Sequence, residues 1–208
     1  MICPFPDLIK LYDMSVTGVI HVGAHLGWEY KYYAQARVRN LVMVEPNPRN
    51  YASMCRTVDK HTVSFNVALG NKEDWVDYWV EDCNAGQSNS VLRPLRHLEI
   101  CPNIKFDGTI RVPMTKLDNL VIDRTKYNFL NMDTQGYELE ILKGGVEVLK
   151  GVDYVYTEVN AKDVYENCAT EDEVTSFLRE AGFHLVKLWW DARYWGDALY
   201  SREELKGG

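Results

Sequence analysis

The chain has 208 residues, a hydrophobic fraction of 46%, a charged fraction of 25% and a formal net charge of −7. These are values of an ordinary globular domain, and the negative balance argues against a nucleic-acid partner, which asks for a basic face. No apolar run is long enough to span a bilayer, and the start MICPFPDLIKLYDMS lacks the features of a signal peptide; five cysteines without a CxxC pair argue for reduced thiols in a cytoplasmic protein rather than for a disulfide framework or structural zinc.

In chain order, residues 4–14 predict a short helical extension with proline at its start, and Val19–Val22 a short buried strand. Trp28–Arg37 reads as a helix and Leu41–Val44 as a second strand; Asn47 caps a helix opened by Pro48 and running to about Asp59. Thr62–Val67 predicts a third strand. Trp75–Val80 alternates like an edge or inserted strand, Asn84–Ser90 is a polar loop, Ile110–Pro113 is a short strand and Leu117–Ile122 a short helix. The cluster Arg93, Arg96, His97 reads as a solvated loop face. Tyr127–Met132 is a strand, Tyr137–Leu149 a helix with an apolar face, and Val152–Thr157 a strand ending at Glu158. Glu171–Ala181 is an amphipathic helix capped by Thr170 and stopped by Gly182, and Phe183–Trp190 with Tyr194–Tyr200 forms a terminal antiparallel hairpin. Alternating strands and helices predict one α/β domain over residues 1–208, a Rossmann-like, mostly parallel seven-stranded sheet with helices on both faces. The closing hairpin suits a class I methyltransferase sheet better than a dehydrogenase sheet.

Ligands of open α/β sheets bind beyond the carboxyl ends of the strands. The first strand ends in GAHLG, where Gly23 and Gly27 let the backbone turn tightly and approach a ligand. The second ends at Glu45, roughly 20 residues on, placed to accept the two hydroxyls of a ribose. The turn lacks the GxGxxG of a pyrophosphate site, which favours S-adenosylmethionine over NAD. Asn66, Val67 and Ala68 follow the third strand, Asp133 the fourth, and Glu158 with Asn160 the fifth. Each acid also has a plain structural role open to it: a helix N-terminal charge for Glu45, a helix cap for Asp133, a surface ion pair for Glu158. His21, inside a strand, reads first as a core histidine. The aromatic cluster Trp189, Trp190, Tyr194 and Trp195 offers faces for a sugar or a base, although most such rings pack the sheet.

VIHVGAHLG, VMVEPNPRN, FNVALGN, the QSNSVL loop, VPMTKLDNL, FLNMDTQGYELEILKGG and VYTEVN occur in this order over Val19–Asn160. With them the chain resembles the FkbM family of S-adenosylmethionine-dependent methyltransferases. The resemblance implies that Gly23, Ala24 and His25 contact the methionine part of the cofactor, Glu45 its ribose, and Asn66, Val67 and Ala68 its adenine. Asp133 would face the reacting methyl or the amino group. His21, Gly27, Pro46 and Ser90 complete the expected cofactor contacts. The expected reaction is O-methylation of a hydroxyl, most naturally on a sugar of a glycan or glycosylated metabolite, with Asp133 as first choice of base and Glu158 as second. A second route lets these two acids hold Mg²⁺ to acidify the hydroxyl. A domain working beside glycosyltransferase modules in a longer chain is consistent with such an acceptor. The sequence departs from the family pattern at two positions: His21 stands where an acid is usual, and Asn131 where lysine is common, leaving Lys143 as a substitute. The rival readings are an NAD(P)-dependent oxidoreductase and a non-catalytic cofactor-binding module.

Overall fold

The computed structural model describes residues 1–120, 122–191 and 194–205. Its strands are β1 (Gly18–Val22), β2 (Asn40–Val44), β3 (Val63–Phe65), β4 (Ala68–Gly70), β5 (Asp74–Val80), β6 (Gly108–Lys116), β7 (Phe129–Met132), β8 (Tyr154–Asn160), β9 (His184–Trp190) and β10 (Trp195–Ser201). Its helices are α1 (Phe5–Tyr12), α2 (Tyr30–Gln35), α3 (Pro48–Thr57), α4 (His97–Ile100), α5 (Glu138–Lys143), α6 (Val146–Leu149) and α7 (Glu171–Glu180). The main sheet has seven strands in the order β3-β2-β1-β7-β8-β10-β9. Pairing is parallel from β3 to β8 and antiparallel through β10 to β9. This is the expected Rossmann-like sheet with its closing hairpin.

The parallel strands are continuous apolar runs because both faces are covered. On one face Ile20, Val22, Leu130 and Val155 pack against Ile141, Leu142, Val174 and Leu178 of α5 and α7. On the other, Val19, Leu41, Phe129 and Tyr156 meet Phe5, Leu8 and Tyr12 of α1 and Tyr33 of α2. The chain order reverses between β1 and β7, which opens a crevice at their carboxyl ends. Two caps follow the local sequence. The Asn47 side chain accepts from Arg49 N–H at 2.9 Å, and Thr170 with Glu173 forms a capping box at α7.

Several expectations need correction. The first helix is shorter than Trp28–Arg37, because Gly27 and Arg37 bracket it in left-handed conformations. The third strand ends at Phe65; Val67 lies beyond it, and Ala68 opens a strand of a separate sheet, β4-β6-β5, to which the alternating Trp75–Val80 segment also belongs. The expected helix Tyr137–Leu149 is two helices, α5 and α6, broken at Gly144-Gly145. A Cβ on Gly144 would stand 1.9 Å from the Gly70 carbonyl oxygen, and one on Gly145 would stand 2.7 Å from Leu117. The Asp118 carboxylate accepts from Glu147 and Val148 N–H groups and so caps α6. Finally, β8 runs on to Asn160 because β10 pairs with it throughout, so Glu158 lies within the strand and opposite Asp197. Leu117–Asn119 forms one 3₁₀ turn; Val121, within the expected short helix, and the chain end 206–208 lie outside the described residues.

Candidate active site

A cavity of about 520 Å³ opens at the carboxyl ends of β1, β2 and β7, a size suited to a cofactor-sized ligand. Its wall includes His21, Gly23, His25, Glu45, Pro46 and Ala68, together with Asp133 and Glu158. Gly23 has φ +79°, and a Cβ there would come 1.9 Å from the Asp133 carbonyl oxygen. Only glycine lets the end of β1 lie this close to the end of β7.

Glu45 is 3% exposed, and its carboxylate is fixed by the backbone: one oxygen accepts from His25 N–H and the other from Asn47 N–H, both at 2.9 Å. Burial pushes this carboxyl up to about 7, against the pull of those two N–H groups. Each oxygen keeps acceptor capacity, which matches the two hydroxyls of a ribose. His25 sits at φ +51°, and its Nε2 lies 2.6 Å from the carbonyl oxygen of Ala85, tying the glycine turn to the polar loop.

Asp133 does not cap the following helix. Glu138 holds that turn instead, accepting from Thr134 N–H at 2.8 Å, Thr134 Oγ1 at 2.9 Å and Gly136 N–H at 3.3 Å. Burial raises the Glu138 carboxyl to about 7. The Asp133 carboxylate accepts from Gln135 Nε2 at 2.8 Å, and so does Glu158, also at 2.8 Å. Among the described residues Glu158 meets no surface lysine. Burial first, then the negative charges of Asp133 and Glu138 and a hydrogen bond to Asp133, drive its carboxyl well above the usual range. With Glu29, Asp191 and Asp197 the lining is strongly acidic, and no lysine or arginine lines it among the described residues. Such a wall attracts a cationic sulfonium or ammonium group.

The two departures from the family pattern touch each other. His21 and Asn131 are cross-strand partners on β1 and β7. Asn131 Nδ2 donates to the Tyr33 hydroxyl at 2.8 Å, which lies 3.2 Å from His21 Nδ1. Burial lowers the imidazole pKa, so the neutral ring accepts the tyrosine proton. Lys143 is not a substitute at the site: it pairs with Glu140 at 2.7 Å and lies outside the cleft.

Five expected cofactor contacts stand behind the wall rather than on it. Ala24 packs with Met43 and Met54, and a Cβ on Gly27 would stand 3.1 Å from Met54. Val67 packs against the main core. Asn66 Nδ2 donates to the Glu45 and Pro46 carbonyls at 2.8 and 3.0 Å, and Ser90 Oγ to the Gln135 carbonyl at 2.8 Å. Asn160 is fully buried with both side-chain polar atoms unpartnered among the described residues. His97 is not a solvated loop residue; it is 3% exposed, lines the cleft, meets Phe106 edge-on and Tyr165 at a tilt, and lies parallel to the Trp195 ring. Sequence reasoning missed Gln135 and Asp197. The second had a signal, an acid in the middle of the apolar strand WGDALY; it is buried and accepts from Tyr156 OH at 2.5 Å. For Mg²⁺ the residues give no support: Gln135 engages both acids, and among the described residues no three His, Cys, Asp or Glu side chains converge as a metal set.

Residues 21–185 match the family model described as the methyltransferase FkbM domain. The chain is 27% identical over 172 residues to the 2-O-methyltransferase NoeI of Sinorhizobium fredii, covering 77% of this chain and 70% of that protein. Its fold is shared with an S-adenosylmethionine-dependent methyltransferase of Mesorhizobium loti, at TM-score 0.55 and 7% identity over 95% of this chain and 98% of that one. A second such methyltransferase, from Aquifex aeolicus, matches at TM-score 0.52 and 14% identity, over 95% and 89%. The oxidoreductase and binding-module readings fall with the family match, which spans most of the chain: this protein belongs to the FkbM methyltransferase family and is a methyltransferase.

Proposed function

We propose that the protein moves the methyl group of S-adenosylmethionine to a hydroxyl of a sugar, in a glycan or glycosylated metabolite. The observation that carries the reading is the placement of the fixed Glu45 carboxylate and the Asp133–Glu158 acid pair on one acidic cleft wall. Glu45 would hold the ribose, the glycine turn at Gly23 would lie against the methionine part, and the acids would face its cationic end. When bound, S-adenosylmethionine supplies a methyl carbon already activated by its sulfonium. The protein aligns the acceptor oxygen with that carbon, largely a matter of proximity and orientation. As the oxygen–carbon bond forms and the carbon–sulfur bond breaks, Asp133 takes the hydroxyl proton. A carboxylate is a weak base for an alcohol, so the proton leaves late, when the oxygen has become acidic. A relative that is a 2-O-methyltransferase supports transfer to oxygen.

The test is incubation with S-adenosylmethionine and a panel of neutral glycosides, catechols and RNA, read by mass spectrometry. Gain of one methyl on a sugar hydroxyl is expected, undiminished in EDTA. Methylation confined to RNA or catechols overturns the sugar reading, and turnover lost in EDTA and restored by Mg²⁺ overturns the metal-independent one.

A further inference from the structure

Gln135 hydrogen-bonds to both acids. It sits at φ +57° in the turn that Glu138 holds, a left-handed conformation that a non-glycine residue adopts only where its surroundings fix it. Its side-chain amide and its main-chain oxygen are engaged. Nε2 donates one hydrogen to Asp133 Oδ1 and one to Glu158 Oε2, each at 2.8 Å. Oε1 accepts from the Tyr165 hydroxyl at 2.9 Å, and the main-chain oxygen accepts from Ser90. An amide turned by a half-rotation would aim its oxygen at two carboxyl groups, so the partners select one orientation. The Tyr165 hydroxyl also lies 3.0 Å from the Ser88 carbonyl, which links the polar loop over the cleft to the acid pair.

We propose that Gln135, clamped by Tyr165, is a positioning residue: its amide orients the Asp133 carboxylate toward the acceptor hydroxyl and holds Glu158 beside it as the partner that shares a proton. The proposal rests on the reading that Asp133 takes the hydroxyl proton. Glu158 is buried and Asp133 half-buried, and two carboxyl groups that share one amide in such a place do not both ionise readily. Two N–H donors favour the state with one negative charge, and burial together with the Asp133 charge drives Glu158 toward the protonated form. Other groups also act on the pair. Glu138 in α5 and Asp197 in β10 repel its charge, as does Glu45 at the tip of β2. His21 in β1, the Met1 amine, and the Tyr78 and Tyr165 hydroxyls complete the surroundings.

The experiment uses the full chain, as wild type, Gln135→Ala, Gln135→Glu and Tyr165→Phe. Two quantities are read: the pH profile of kcat on an unmethylated sugar that the wild type methylates, and the carboxyl titration by ¹³C NMR of Asp- and Glu-labelled protein without ligand. Loss of the donors in Gln135→Ala should raise the pH at which the pair ionises by about one unit. Gln135→Glu, which adds a third carboxyl, should raise it further, and Tyr165→Phe should shift it less in the same direction. In Gln135→Ala, kcat should fall about 10- to 100-fold with the acceptor KM little changed. A pair that titrates in Gln135→Ala and Tyr165→Phe as it does in wild type overturns the proposal, whatever the activity. A shifted titration in the variants of a protein whose wild type methylates no hydroxyl overturns the proton-acceptor reading and, with it, the positioning of Asp133 toward an acceptor, leaving only the hydrogen-bonded acid pair. Calorimetry with S-adenosylhomocysteine separates these outcomes from loss of the cofactor site.

Discussion

Glu45 carries a burial cost that its two backbone N–H donors offset only in part. Its carboxyl titrates near 7 in the fold against an ordinary value of 4.5, because burial disfavours the charge. For an acid raised in this way, the stability contributed by the protonated form is fully present below pH 4.5 and is lost as pH rises through about 7. A ribose diol donating to the ionised carboxylate reverses the balance, so cofactor binding should favour the higher pH. We predict that S-adenosylhomocysteine affinity weakens by up to about tenfold per pH unit below 7, and that Glu45→Gln removes this slope. Without ligand, that variant should gain melting temperature over wild type at pH 8 but not at pH 4. Calorimetry and thermal melts check both statements; a slope that survives in Glu45→Gln contradicts them. At this scale the sequence was legible where an acid interrupts an apolar pattern at a strand end, as at Glu45 and Asp133. It was not legible at Gln135, whose role depends on β8 and Tyr165 meeting it in space, nor in the His21–Tyr33–Asn131 contact, which depends on the register of β1 against β7.

The paired glycines between α5 and α6 act as an element-scale constraint on the site. Gly144 packs directly on the Gly70 carbonyl of β4, so the small sheet that flanks the cleft docks against the helix that follows Asp133. Gly144→Ala should cost about 1–3 kcal/mol through the backbone displacement it forces, lowering the melting temperature by roughly 2–12 °C. An unchanged melting curve would show that the contact is looser than described. The helix itself was readable from its apolar spacing, but the break was not, because its cause is a tertiary contact with β4 and with Leu117. The same holds for β8: its apolar run suggested a strand ending at Glu158, while pairing with β10 extends it to Asn160. Helix ends with side-chain caps, at Asn47 and Thr170, fell where the local sequence put them.

For the whole molecule, strand order and chain reversal determine where the acidic cleft lies. The crevice between β1 and β7 brings together Gly23, Glu45 and Asp133 from separate parts of the chain, and the β4-β6-β5 sheet with the polar loop forms the facing wall. Alternation of strands and helices made the seven-stranded sheet readable; of the second sheet only the alternating Trp75–Val80 strand and the core of β6, Ile110–Pro113, were seen, as separate pieces of an irregular region, because β5 and β6 pair across a long insertion and β4 has three residues. The central claim is that Glu45 at the tip of β2 holds the cofactor of a methyl transfer. Its most direct test is calorimetric titration of S-adenosylhomocysteine into wild type and Glu45→Ala, with folding checked by thermal melts. Saturable binding to wild type, lost or greatly weakened in a folded Glu45→Ala variant, is the predicted result; equal binding to both proteins, or none to a folded wild type, would contradict it.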